Sequence, residues 1–122
     1  MDQLVVLQEI YESLSKGGDG LQKIKSRDIE GSCSSLIKKL AEGSKKGTID
    51  EDLCQDLGRC LQDVYELKRL GDICRKAGLL DTAIKSYSKA LSLGQDKNIR
   101  SVLQNNLGQA YALMGDLDKS AF

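Results

Sequence analysis

Glycine, rather than proline, divides this sequence into segments. The chain of 122 residues contains 12 glycines and no proline. Glycine readily adopts the left-handed conformation that ends many α-helices. Few segments alternate polar and apolar residues with the period of two that is typical of β-strands. The pattern predicts an all-α fold in which successive helices end at glycines.

The composition indicates a folded domain and gives no sign of a nucleic acid or membrane partner. Hydrophobic residues make up 40% of the chain, and the 18 basic residues equal the 18 acidic ones. The start of the chain carries Asp2 and Glu9 and no basic segment, which is unlike a secretory signal. No apolar run approaches the ~18 residues of a membrane-spanning helix. We therefore expect an intracellular protein, cytoplasmic or nuclear.

Apolar side chains spaced three and four residues apart predict helices in the first part of the chain. The predicted elements are a helix over residues 2–16, a second helix that carries the stripe Ile29–Leu40 after a cap at Ser26 or Asp28, and a helical stretch over residues 50–77 capped by Thr48 or Asp50. The last stretch is either one helix or two helices joined near Tyr65.

The four cysteines show no metal-binding spacing. Cys33, Cys54, Cys60 and Cys74 form no C-x-x-C pair, and the chain has no histidine to complete a mixed zinc site. Each of them lies on a predicted helix, where a reduced cysteine acts as a small hydrophobic residue. We expect no metal and no cofactor.

The same lack of histidine argues against catalysis. Histidine is the most frequent general base in enzymes. The sequence also lacks a phosphate-binding loop, a G-x-S-x-G nucleophile motif and a dinucleotide-binding fingerprint. We expect a protein that is not an enzyme, and we assign no catalytic residue.

The second half of the chain contains two copies of one pattern. The first copy reads Leu70-Gly71, Cys74, Gly78, Ala83, Tyr87 and Ala90, and the second reads Leu107-Gly108, Tyr111 and Gly115. The pattern resembles the tetratricopeptide repeat, a helix-turn-helix unit of about 34 residues. The two Leu-Gly pairs are 37 residues apart, which is slightly longer than that repeat.

The resemblance implies how the chain is organised. Residues 1–62 form an N-terminal helical region, and residues 63–122 hold the repeats, with a complete repeat over 63–96 and a truncated one over 99–122. Small residues at Gly71 and Ala83 let the two helices approach, while Leu70, Cys74 and Tyr87 fill the space between them. The first repeat is predicted to turn at Gly78, and the second to turn at Gly115 and then stop. A truncated repeat suggests a fragment or isoform of a longer protein, or a chain whose end pairs with another copy.

In tetratricopeptide proteins the first helices of successive repeats line a groove that binds a peptide or a helix of a partner. By resemblance, the groove residues of this chain are Lys68, Asp72, Arg75, Asn105, Asn106 and Gln109. An ordinary solvated helix face is the alternative for each of them. Some members hold an acidic C-terminus in a carboxylate clamp, and Lys68 and Asn106 stand at two clamp positions. Asp72 departs from the clamp pattern and would repel a carboxylate.

The predicted function is therefore that of a protein-binding adaptor that holds a peptide or helical segment of a partner protein. The alternative is a structural role in which the chain caps a longer helical array or forms a homodimer. In that alternative, Leu117 and Phe122 are buried against a second copy.

Overall fold

The computed structural model of the chain describes residues 2–16 and 29–120, with side chains for residues 2–15 and 29–115. Its helices are α1 (Gln3–Lys16), α2 (Ser34–Lys45), α3 (Glu51–Cys60), α4 (Val64–Lys76), α5 (Leu80–Leu93) and α6 (Lys97–Ser120). The described residues contain no β-strand, which confirms the all-α prediction. None of the described helices is long and apolar enough to cross a membrane.

The hairpin of α4 and α5 forms the centre of the fold. Helix α1 packs against α4, while α6 packs mainly against α5 and also touches α4. Helix α3 contacts both α4 and α5, and α2 lies between α1 and α3 and contacts both of them. Leu67, Leu70 and Ile73 of α4 are fully buried, as are Ala83 and Tyr87 of α5. The core is therefore continuous from the N-terminal helices to the hairpin.

Local signals set the ends of the hairpin helices. Asp63 caps the start of α4, because its carboxylate accepts hydrogen bonds from the backbone N–H groups of Tyr65 and Glu66 at 2.9 and 3.0 Å. Gly78 ends the same helix with a φ of +82°, a conformation that glycine adopts without steric cost. The N–H of Leu79 then bonds to the carbonyl of Cys74 at 2.8 Å. This is the turn that the sequence predicted at Gly78.

At three helix boundaries the structure either differs from the sequence-based prediction or decides between alternatives that the sequence left open. The stretch 50–77 is two helices, since residues 61–63 interrupt it, and Asp50 is the N-cap of α3. Helix α2 begins at Ser34, so Ile29 lies before it; the proposed caps Ser26 and Asp28 lie outside the described residues. The prediction of a turn at Gly115 is wrong, because α6 continues through this residue to Ser120.

The cysteines form two pairs that the sequence did not reveal. A disulfide joins Cys33, at the N-cap of α2, to Cys60 at the end of α3. The interpretation of these two cysteines as reduced helical residues is therefore wrong. Cys54 and Cys74 are free and buried. The neighbouring Cys54 thiol and burial together raise the pKa of the Cys74 thiol.

The disulfide should contribute strongly to stability. A cross-link between positions 27 residues apart restricts the unfolded chain, and its loss should lower the free energy of unfolding by about 3 kcal/mol. Urea unfolding of the wild type and of the double variant Cys33→Ser/Cys60→Ser, each with and without dithiothreitol, measures this. In reductant the two proteins should unfold at the same midpoint. A wild-type midpoint that does not respond to reductant would contradict the prediction.

The two Leu-Gly pairs of the pattern should respond oppositely to alanine. A Cβ at Gly71 would lie 2.5 Å from Cε1 of the buried Tyr87, so Gly71→Ala must displace that ring. Overpacking of this kind should destabilise the protein by about 2 to 3 kcal/mol. A Cβ at Gly108 meets nothing within 4 Å, and in a helix interior Gly108→Ala should stabilise by about 0.5 to 1 kcal/mol. Thermal or urea unfolding of both variants provides the comparison, and equal effects would count against the packing assigned to Gly71.

Candidate functional site

A buried carboxylate organises the surface between α4, α5 and α6. Asp72 lies on α4 and is only 2% exposed. A lone buried charge would be strongly unfavourable, so it requires close partners. Its partners are the hydroxyl of Tyr87 at 2.5 Å, Lys68 Nζ at 2.9 Å, an Arg69 nitrogen at 3.2 Å, Asn106 Nδ2 at 3.4 Å and an Arg75 nitrogen at 3.6 Å. We refer to these six residues as the Asp72 network.

The partners of Asp72 come from three helices. Lys68, Arg69 and Arg75 belong to α4 itself, Tyr87 to α5 and Asn106 to α6. Burial raises the pKa of the Tyr87 hydroxyl, and its hydrogen bond to Asp72 raises that pKa further. Tyr87 therefore remains protonated and donates to the carboxylate. The network fixes the hairpin and docks α6 onto it.

A second polar contact extends the same seam between α4 and α6. Arg75 donates a hydrogen bond to the side-chain carbonyl of Gln109. Both this contact and the one between Asp72 and Asn106 join residues 34 positions apart. One α4–α6 register therefore brings four of the six predicted groove residues together in two pairs.

A groove opens where α1 and α6 flank α4. It has a volume of about 240 Å³ and combines apolar and cationic side chains. The lining residues are Leu4 and Gln8 of α1, Tyr65, Lys68 and Arg69 of α4, and Ile99 and Val102 of α6. We call this the α1–α4–α6 groove.

The predicted groove residues occupy different depths. Lys68 lines the groove, with a side chain that is 21% exposed. Asp72 and Asn106 are buried. Arg75 is half-buried, while Gln109 and Asn105 are exposed on α6. Lys68 thus lies at the surface of the groove, and its ion-pair partner Asp72 is buried beneath it.

Sequence reasoning missed most of the apolar lining. Leu4 belongs to the helix predicted over residues 2–16, and nothing in that segment indicates that α1 flanks α4. Gln3 holds α1 there: its amide nitrogen donates to Glu66 at 3.1 Å, and its oxygen accepts from the backbone of Cys33 at 2.8 Å. Burial raises the pKa of Glu66. The one available signal was Tyr65, an aromatic residue outside the apolar stripe of α4.

Arg69 combines several roles at the floor of the groove. Its guanidinium pairs with Asp72 and lies 5.0 Å from the centre of the Tyr11 ring, a cation–π contact between α4 and α1. Its Nε atom is buried without a hydrogen-bond partner. An unsatisfied buried donor is unfavourable. The groove therefore contains a cation with hydrogen-bonding capacity that the described residues do not use.

Removal of the Tyr87 hydroxyl should show how much this hydrogen bond of the Asp72 network contributes to the free energy of unfolding. Tyr87→Phe keeps the buried ring and removes a hydrogen bond to a charged group, which should lower the free energy of unfolding by about 2 kcal/mol. Tyr65→Phe is the matched control, since Tyr65 is 51% exposed, and it should change stability by less than about 0.5 kcal/mol. Urea unfolding at neutral pH measures both.

The same pair of variants gives a pH test. Because the pKa of Tyr87 is raised above its ordinary value of 10.0, its stabilising effect is present below that value and is lost as the pH rises beyond it. Wild type and Tyr65→Phe should lose stability above about pH 10 more steeply than Tyr87→Phe does. Identical pH profiles for all three proteins would contradict the assignment.

Comparison with known proteins finds one similarity, in the central hairpin. Residues 69–96 match the family model for the tetratricopeptide repeat. The match begins within α4 and extends past the end of α5, so it covers the helix-turn-helix unit that carries Asp72 and Tyr87. No curated protein and no solved structure matches the chain.

Proposed function

We propose that the chain is an adaptor whose α1–α4–α6 groove binds a segment of a partner protein, because residues 69–96 match the family model for the tetratricopeptide repeat. The repeat indicates protein–protein interaction in general. The groove itself is the observation that carries the more specific proposal, because it lies along the first helix of the repeat.

The chemistry of the groove defines the segment that would fit. Tyr65 of α4 and Val102 of α6 are 51% and 42% exposed, so they offer apolar contact area within the groove. Lys68 and Arg69 of the same lining provide positive charge. Charged hydrogen bonds to a carboxylate are stronger than neutral ones. A peptide or helix with apolar side chains next to an acidic one satisfies both features.

In this proposal the predicted groove residues have distinct roles. Lys68 contacts the partner, and Asn105 lies exposed on α6 within reach of a longer segment. Asp72 and Asn106 lie below and hold the cations in place, while Arg75 and Gln109 bridge α4 and α6. This division explains how a polar stripe can serve packing and binding at the same time.

Two variants with matched controls test the groove. Peptides selected from a displayed library on the wild-type protein should bind Tyr65→Ala and Lys68→Gln at least about tenfold more weakly, a loss of about 1.4 kcal/mol or more. Tyr111→Ala removes another exposed tyrosine, and Lys76→Gln removes another lysine of α4, which is exposed. Neither control residue lines the groove. Fluorescence anisotropy gives the affinities, and equal losses in variants and controls would refute the proposal.

A self-association role is supported by a different observation. Tyr111 and Leu113 on α6 are 57% and 45% exposed. They are two residues apart and so project from different sides of the helix, and each is a large apolar side chain that a second copy of the chain would cover. Leu117 and Phe122, the residues predicted to be buried in a dimer, lie outside the described side chains. Sedimentation over a concentration series separates the two roles, because a dimer that Tyr111→Ala dissociates supports self-association.

A cytoplasmic location remains part of the proposal on the basis of the sequence alone. The Cys33–Cys60 disulfide weighs against it, because disulfides are rare in a reducing cytoplasm. The redox state of these two thiols in cells, measured by differential alkylation, decides between the two indications.

A further inference from the structure

A second concave site lies between α3 and α5. This α3–α5 cleft has a volume of about 360 Å³ and shares no residue with the α1–α4–α6 groove. Its lining includes Arg59 at the end of α3 and Thr82, Lys85, Ser86 and Lys89 along α5. Clefts of about 300 Å³ and above are large enough to bind small ligands or side chains.

The charges that line the cleft are positive. Three lysine and arginine side chains line it, and none of the lining residues in the described chain is acidic. Two of these cations have partners: Arg59 pairs with Asp56 at 2.7 Å, and Lys89 donates to the carbonyls of Gly58 and Arg59 at 2.9 and 3.0 Å. Lys85 is exposed and forms no ion pair with any described residue. The cleft therefore retains a positive charge.

A buried hydroxyl provides an independent indication. Thr82 is 3% exposed, and its Oγ1 has no hydrogen-bond partner. Ser86, one turn later in the same lining, is also buried, yet its hydroxyl donates to the carbonyl of Leu67 at 2.7 Å. A buried hydroxyl without a partner destabilises the free protein. Thr82 therefore has hydrogen-bonding capacity that is not needed for the packing of α5.

From these observations we propose that the α3–α5 cleft binds an anionic side chain of a peptide partner, whose oxyanion pairs with Lys85 and accepts a hydrogen bond from Thr82. The shared chemistry is a carboxylate or a phosphate monoester carried by the peptide. The lysines supply long-range attraction, and the threonine supplies a directional donor. Arg59 and Lys89 keep the rim positive while they stabilise the end of α3.

The test uses the full ¹⁵N-labelled chain and three blocked tripeptides, Ac-Gly-X-Gly-NH₂, in which X is phosphoserine, glutamate or serine. Titrations at constant ionic strength should give saturable amide shifts at Thr82, Lys85 and Ser86 with an acidic peptide and none with the serine peptide. Saturation by phosphoserine alone assigns a phosphorylated partner, and equal saturation by glutamate assigns an acidic one. Absence of saturation with both acidic peptides overturns the proposal, as do shifts confined to Tyr65 and Lys68.

Two pairs of variants separate the site from a general charge effect. Lys85→Gln should weaken binding at least fivefold, whereas Lys97→Gln, which removes an exposed charge from α6, should change it less than twofold. Thr82→Val should raise the melting temperature and weaken binding at least fivefold, and Thr82→Ser should retain the affinity. Equal effects of Lys85→Gln and Lys97→Gln overturn the proposal. A Thr82→Val protein that is more stable but binds as well as wild type overturns the role of the hydroxyl.

Discussion

The burial of Asp72 is the constraint on which the hairpin and its neighbours depend. A carboxylate with 2% exposure loses its hydrogen bonds to water. Only several hydrogen-bond donors that converge on it can replace them. Because the donors lie on α4, α5 and α6, each helix must be present and in register before the charge is compensated. The network therefore links the correct arrangement of three helices to one side chain. Apolar packing alone would tolerate small shifts of α6 along α4 that this carboxylate does not.

The Asp72 network changes the sign of the charge that a ligand would meet near Asp72. Considered as an isolated residue on a groove face, it repels an acidic partner. In the structure it lies beneath Lys68, Arg69 and Arg75, so three positive charges surround one negative charge. The surface above it is therefore positive. The carboxylate already holds the lysine and the arginines in fixed positions. These side chains therefore lose less conformational entropy when a ligand binds them than free side chains would lose.

The sequence predicts those features of the fold that are encoded within one helix or one turn. Neighbouring residues are enough to predict the helix over residues 2–16, a cap at Thr48 or Asp50 and the turn at Gly78. The structure has α1 at residues 3–16, the cap at Asp50 and the turn at Gly78. The disulfide could not be predicted, because its cysteines are 27 residues apart in segments whose packing depends on α1. For the same reason the apolar half of the groove was missed. The interruption at residues 61–63 was ambiguous, since Leu61 and Val64 continue the apolar pattern across it.

The two copies of the Leu-Gly pattern show that the motif favours the packing of one helix against another and does not by itself determine the backbone conformation. At Gly71 the ring of Tyr87 from α5 covers the missing side chain, and Gly78 takes a positive φ that turns the chain toward that same helix. At Gly108 no described atom lies within 4 Å of the corresponding position apart from the adjoining residues and backbone of α6 itself, and Gly115 remains helical. A left-handed glycine gives up the helical hydrogen bonds beyond it, and the packing of a following helix compensates for this loss. No described helix packs over Gly108, so the local helical preference of the segment determines its conformation. Helix α6 therefore runs without interruption over its full length of 24 residues. The pattern becomes a repeat only where a second helix is available to cover the glycine.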